Sequence, residues 1–322
     1  GWTASSATRS CRASCSRPLG LRANFSSTTW RSIAKCWSTT QVAPEVIDAM
    51  SPFFKDLWGN PSSMHQFGGQ VKKYIDTARE QVAALIGADP SEIVFTSCGT
   101  ESDNMAIRGV AEAAGRKTRI ITSRVEHPAV LGPCRHLKEQ GHEVIELGVS
   151  TAGQLAIAEF RKVLSKDPAI VSVMWANNET GVVFPIPEIA VIAKEQGSVM
   201  HTDAVQAVGK LIVDVRKVPV DMLALSGHKL HAPKGIGALY IRKGTKVNTF
   251  LLGGHQENGR RGGTENVPYI VGLGQACALA NKHIQDEIAF VAKLRDRLES
   301  GLLASCPGTT VNGDRVHRLP NT

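Results

Sequence analysis

The sequence predicts an α/β protein: a mostly parallel sheet covered by helices on both faces, with a smaller unit begun near the C-terminal end. From about residue 70, short apolar runs rich in β-branched residues alternate with amphipathic stretches of helical period. Several apolar runs end on Gly, Asp, His or Lys, and strand ends are where ligands sit in such sheets. Neither an internal repeat nor a low-complexity linker interrupts the alternation.

Taken in order, "APEVIDAMSPFFKDLW" has a helical pattern, and "KKYIDTAREQVAALIG" is a helix stopped by Gly87, a residue suited to the left-handed C-terminal position. "EIVFT" reads as a strand, "ESDNMAIRGVAEAA" as a helix, "RIITS" as a strand and "AVLGPCRHLKEQG" as a helix. The strands "HEVIELG", "AIVSVMWA", "SVMHTDA", "DMLALS" and "IGALYI" follow, with the helix "PEIAVIAKEQG" between two of them. "IAFVAKLRDRLESGLLASC" forms a further long helix that opens the second unit.

The 322 residues are 42% apolar, ample for a buried core, and no apolar run approaches the roughly 20 residues that span a bilayer. Of the net charge of +8, six units come from Arg9, Arg12, Arg17, Arg22, Arg31 and Lys35 in an N-terminal tract without acids. The remaining +2 argues against nucleic-acid binding through a basic face. The seven cysteines (11, 15, 36, 98, 134, 277 and 306) are scattered without a C-x-x-C pair, which disfavours a disulfide framework or zinc site and fits a reducing, cytoplasmic setting.

The polar residues at the strand ends each have a functional and a structural reading. Lys229, in "SGHKLHAPKG", follows an apolar strand; a buried lysine with a depressed pKa suits Schiff-base chemistry. In "IVFTSCGTESDNMAI", Gly99 and Thr100 open a helix whose N–H groups can hold a phosphate, although Thr and Ser there also serve as plain caps. Asp203, with Gln206 three residues on, can keep a pyridinium nitrogen protonated or cap the next helix. His127, before Pro128, can stack on a ring or shuttle a proton, or be structural. Asn177 and Asn178 can bond a ring hydroxyl or form a turn. Cys98 reads best as a packed side chain, and His228 with His231 lacks a third ligand for zinc. "GGHQENGRRGGTEN" (253 to 266) is glycine-rich, charged and exposed in character. Phosphate cradle, stacking ring, carboxylate and lysine together are the parts that pyridoxal phosphate needs.

The motifs "FTSCGTESDNMAI", "VEHPAV", "MWANNETG", "HTDAVQAVGK", "SGHKLHAPKGIGALY" and "GGHQENGRRGGTENVPYI" closely resemble the cysteine desulfurases of the class V aminotransferase fold, nearest to the nitrogen-fixation (NifS-type) branch. The resemblance runs over residues 39 to 322 and implies the pyridoxal-phosphate fold type I. It implies that Gly99, Thr100, Ser226 and His228 bind the cofactor phosphate and that His127 stacks on the ring. Asn178 and Gln206 contact the ring hydroxyl, and Asp203 its nitrogen. Lys229 carries the Schiff base and moves the proton, and Thr264 reaches the phosphate of the other subunit of a homodimer. The implied chemistry converts L-cysteine to L-alanine and passes sulfur through an enzyme persulfide to an iron–sulfur scaffold or other acceptor protein.

The match departs from the family at both ends. The nucleophilic cysteine loop and the arginine for the substrate carboxylate fall beyond Thr322, and the N-terminal family turn survives only as Ser38 to Thr40. Neither Cys277 nor Cys306 has the nucleophile's context. The expected division is an atypical Ser/Arg-rich segment (1 to 38, an artefact or presequence), a large cofactor-binding domain (39 to 268) and the start of an incomplete small domain (269 to 322). Selenocysteine lyase, a housekeeping-type desulfurase and a cofactor-binding fragment without turnover remain as alternatives.

Overall fold

The computed structural model describes residues 40–63, 66–164 and 169–322. The N-terminal tract expected to be foreign to the fold, residues 1 to 38, lies outside the described residues. The helices are α1 (Pro44–Met50), α2 (Pro52–Lys55), α3 (Gln66–Ile86), α4 (Gly99–Ala113), α5 (Pro128–Glu139), α6 (Ile157–Val163), α7 (Ile186–Glu195) and α8 (Val267–Ser305). The strands are β1 (Ile93–Thr96), β2 (Arg119–Ser123), β3 (Glu143–Leu147), β4 (Ala169–Ser172), β5 (Val199–Asp203), β6 (Met222–Ser226) and β7 (Gly237–Ile241).

The seven strands form one sheet in the order β3-β2-β4-β5-β6-β7-β1, in which only β7 runs antiparallel to its neighbours. Alternation along each strand feeds two cores. Ile93, Phe95, Ile121, Val171, Leu223, Leu225 and Tyr240 face the layer that contains α1, α3, α7 and the first half of α8. Their neighbours Val94, Ile120, Ile170, Met222, Ala224 and Leu239 face α4 and α5. Strands buried on both faces read as continuous apolar runs, which is why "DMLALS" shows no polar alternation.

Local chemistry sets the helix ends. Gly87 closes α3 at φ +69°, as its position in the sequence predicts. His127 caps α5 with Nδ1, which accepts from the Ala129 N–H at 3.1 Å, ahead of Pro128 in the first turn.

Two elements differ from the sequence reading. The run "AIVSVMWA" leaves regular strand at Ser172, yet Val173 and Trp175 still donate to His201 and Asp203 carbonyls of β5 at 3.3 and 2.8 Å. The separate C-terminal helix is instead the second half of α8, which runs unbroken for 39 residues. Gly272 and Gly274 do not break it because their missing side chains admit close neighbours. A Cβ would lie 2.6 Å from Met50 Sδ at the first and 2.6 Å from Ala78 Cα at the second.

Candidate active site

Strands β1, β2, β4, β5 and β6 all run the same way, so their carboxyl ends share one rim of the sheet. There β6 ends at Ser226 and turns at once through a single 3₁₀ turn, Gly227–Lys229. Lys229 is half-buried, and desolvation lowers its ammonium pKa below the ordinary lysine value against the opposing charges of Asp203 and Glu179. An amine poised this way is a nucleophile and a base. Asp203, at the end of β5, pairs in register with Ala224 of β6 and is buried. Burial, joined by the charge of Asp103, pushes its carboxyl up to about 7 against the Val205 N–H, which donates to Oδ1 at 2.9 Å. That N–H bond turns the chain after β5 into a short turn rather than the capped helix of the bland reading.

The start of α4 crosses the same rim. Gly99 is buried there, and a Cβ on it would lie 2.9 Å from Val205 Cγ2 and 3.5 Å from Ser226 Cβ, so only glycine lets the loop lie this close. Gly237 serves the same approach from β7: its Cβ would come 2.8 Å from both the Cys98 carbonyl carbon and Leu225 O. Thr100 and His127 are exposed and line one cavity of about 410 Å³ that continues along Asn104 and Arg108. His228 is half-buried; desolvation first, then the positive charges of Lys229, Lys234 and Lys210, keeps its ring below the ordinary imidazole pKa.

The remaining predicted residues are placed less directly. Asn177 makes the turn after β4: its Oδ1 accepts from the N–H groups of Glu179 and Thr180 at 3.0 and 2.9 Å. Asn178 is exposed and donates to Glu179 Oε1 at 2.6 Å. Gln206 Oε1 accepts from Lys210 Nζ at 2.6 Å. Thr264 lies on an exposed loop that touches the first turn of α4 through Arg261, whose Nε donates to Glu101 Oε1 at 2.8 Å. That loop is not exposed throughout, as its composition suggests, because Glu257 is buried.

Sequence reasoning missed two sets of residues at this rim. Thr40 clasps the lysine turn: its N–H and Oγ1 both donate to His228 O, at 2.9 and 2.7 Å, and Oγ1 accepts from the His231 N–H at 2.9 Å. The sequence marks Thr40 as part of the family turn Ser38 to Thr40, but not that it meets His231, 191 residues on. Beneath Asp203 lie Asp103, Glu126 and His201, all buried. His201 Nδ1 shares a hydrogen bond with Ser172 Oγ at 2.9 Å, while its Nε2 faces Asp103 Oδ1 at 3.5 Å. Burial pushes Glu126 up to about 8 and His201 down to about 4, so both are neutral in the folded state near pH 7.

The donor set and the cradle at Gly99 fit a phosphorylated aromatic aldehyde such as pyridoxal phosphate: a helix start without a side chain, a buried carboxylate at the end of β5 and a lysine of lowered pKa on the turn after β6.

Comparison with known proteins agrees with the sheet. The aminotransferase class V family matches residues 37–322, and the chain belongs to that family. Within it the chain is a homologue of the NifS-type cysteine desulfurases. It is 57% identical over 285 residues to the cysteine desulfurase of Nostoc sp. (strain PCC 7120 / SAG 25.82 / UTEX 2576), covering 88% of this chain and 71% of that protein. The cysteine desulfurase NifS of Azotobacter vinelandii is 51% identical over 286 residues, with the same coverage of 88% and 71%. A solved NifS-like protein superposes with a TM-score of 0.84 at 39% identity, covering 88% of this chain and 78% of that one. SspA in complex with cysteine gives 0.76 at 37% identity, covering 83% and 76%. The mostly parallel seven-stranded sheet flanked by helices is the pyridoxal-phosphate fold type I of these neighbours.

Proposed function

We propose that the chain is a pyridoxal-phosphate-dependent cysteine desulfurase, taking L-cysteine to L-alanine and passing sulfur on as a persulfide for iron–sulfur cluster assembly. The observation that carries this reading is Lys229, half-buried on the turn after β6 with the Asp203 carboxylate of the adjoining strand acting on its charge. When bound, the cofactor supplies an electron sink. Gly99, Thr100, Ser226 and His228 would hold its phosphate, and Asp203 would serve its ring nitrogen. Asn178 and Gln206, bonded here to Glu179 and Lys210, would serve its hydroxyl. Lys229 Nζ, neutral more readily than an exposed lysine, would be the amine that holds the cofactor and the base for the substrate's α-proton. His127, its Nδ1 fixed by the α5 cap, would lie against the ring with Nε2 left for proton transfer. SspA, a structural relative, is described in complex with cysteine, which supports the substrate.

The persulfide needs a thiolate. Cys134 and Cys277 do not supply one, because burial pushes both thiols up to about 12. On the family resemblance the nucleophile is a loop cysteine, and neither of these two buried thiols has that setting. A homodimer, with Thr264 reaching the partner's phosphate, completes the site, and a scaffold protein takes the sulfur. The division into a cofactor-binding body to residue 268 and a second unit from 269 stands as part of the same proposal, as does a cytoplasmic setting. Among the described residues no helix is long and apolar enough to cross a membrane.

The test is an absorption spectrum of the protein with added pyridoxal phosphate, before and after L-cysteine, beside Lys229→Ala. A visible band that requires Lys229 and shifts with cysteine is the expected result. Absence of the band from the wild-type protein refutes the cofactor assignment.

A further inference from the structure

The loop 249–266 is built to deliver one guanidinium to the start of α4. Its ends are pinched together where Gly262 donates to Leu251 O at 2.9 Å and lies so close to Gly253 that a Cβ would sit 2.8 Å from Gly253 Cα. Thr249 Oγ1 donates to Gly259 O at 2.8 Å across the loop. Its middle is nailed to the body by Glu257, which takes two bonds from Arg79 at 2.8 Å each and one from the Phe95 N–H at 3.1 Å. Glu257 and Asn258 hold left-handed backbone, φ 50° and 57°, to make that reach. Next in line, Arg261 forks onto Glu101 at 2.8 and 3.3 Å, with its Nη1 only 3.2 Å from the position of a Cβ at Gly263.

Glu101 stands in the first turn of α4, two residues after Gly99, and its other role is local: Oε2 accepts from the Ser97 N–H at 2.8 Å and folds the loop that precedes the helix. A carboxylate suits a helix start when nothing else negative binds there. Beside a bound phosphate, the same charge repels the ligand that the helix N–H groups attract. The structure keeps the carboxylate for its hydrogen bond and covers its charge with Arg261, of which only 21% is exposed against 9% of Glu101.

We propose that Arg261 is a positioning residue that neutralises Glu101, so that the start of α4 can order the Ser97–Gly99 loop and still accept a phosphate. The inference rests on the phosphate site assigned above, and it concerns affinity for the anion rather than the chemistry at Lys229. It also explains why the charged loop is tied down at Glu257 instead of being left to solvent.

Equilibrium binding of pyridoxal phosphate and of pyridoxal, followed by absorbance, is measured for the full chain, Arg261→Gln, Glu101→Gln and the double variant, with near-ultraviolet circular dichroism as the check on folding. The expected result is that Arg261→Gln weakens pyridoxal phosphate binding about tenfold, ~1.4 kcal/mol, and leaves pyridoxal unchanged. Glu101→Gln binds the phosphorylated ligand at least as tightly as wild type, and the double variant recovers most of the loss. Should Arg261→Gln not fold, the Glu101→Gln arm still decides: weaker binding of pyridoxal phosphate there overturns the proposal. Unchanged binding by Arg261→Gln, or a double variant as weak as the single, also overturns it, the second by making Arg261 a direct ligand. A wild-type protein that binds both ligands equally sinks the phosphate site itself, and the proposal with it.

Discussion

Removing the Glu257 carboxylate is the sharpest test of how this fold is fastened. In Glu257→Ala the Arg79 guanidinium loses both of its 2.8 Å bonds, and the Phe95 N–H loses its acceptor at the edge of the sheet. The pair is withdrawn from water, with 15% of the Arg79 side chain and 2% of the Glu257 side chain exposed. Stripping one partner from such a pair destabilises by about 3–5 kcal/mol, because the other charge stays buried. Arg79 keeps its bond to Ile93 O at 2.7 Å and its place 4.7 Å over the Phe95 ring, which sets the expectation at the lower end, about 3 kcal/mol. Urea unfolding reads this as a lower midpoint at an unchanged slope. The double variant Arg79→Met/Glu257→Leu, which removes both charges and keeps apolar volume, recovers most of the loss. A drop below about 1 kcal/mol for Glu257→Ala, or a double variant no better than the single, refutes the account of the loop anchor.

Three further outcomes follow from the same structure. Gly237→Ala drives a methyl against backbone atoms of Cys98 and Leu225, neither of which can rotate away, and is expected to lower stability by about 1–3 kcal/mol in the same titration; wild-type stability would mean that the Cys98 loop does not lie across β7 as described. Asp203→Asn changes the pH dependence of the cofactor-free protein. The folded carboxyl keeps its proton up to about 7, whereas an unfolded aspartate releases it near 3.8, so the folded state binds the extra proton between those values and stability falls as pH rises through that window. The variant should lack this fall when melting is compared between pH 4 and 8, and an identical profile counts against the buried carboxylate. Thr40→Val breaks the clasp on the lysine turn, losing the bond to His228 O and the acceptor for the His231 N–H; a loss of about 1–3 kcal/mol is expected, and a melting temperature equal to that of wild type would remove Thr40 from the site.

What depends on neighbours along the chain is legible in the sequence. Apolar runs of strand length set between amphipathic stretches fixed the α/β class, Gly87 marked the end of α3, and Lys229 was marked by its place just after an apolar strand. The glycine at 99 could be read as a close approach, but not what it approaches. That Val205 and Ser226 stand against it follows from the fold, since they arrive from two other strands ordered by the sheet. The same holds for Glu257, which looks like a solvent-facing charge in a glycine-rich loop until Arg79, 178 residues earlier, is brought under it. It holds too for Asp103 and His201, whose burial and mutual approach come from α4 packing on β5. The continuity of α8 through Gly272 and Gly274 was decided by Met50 and Ala78, which fill the space beside them. Local pattern records backbone preference and which face is apolar. Desolvation and charge pairing are properties of position in space, and they exist only once the sheet has set its strand order.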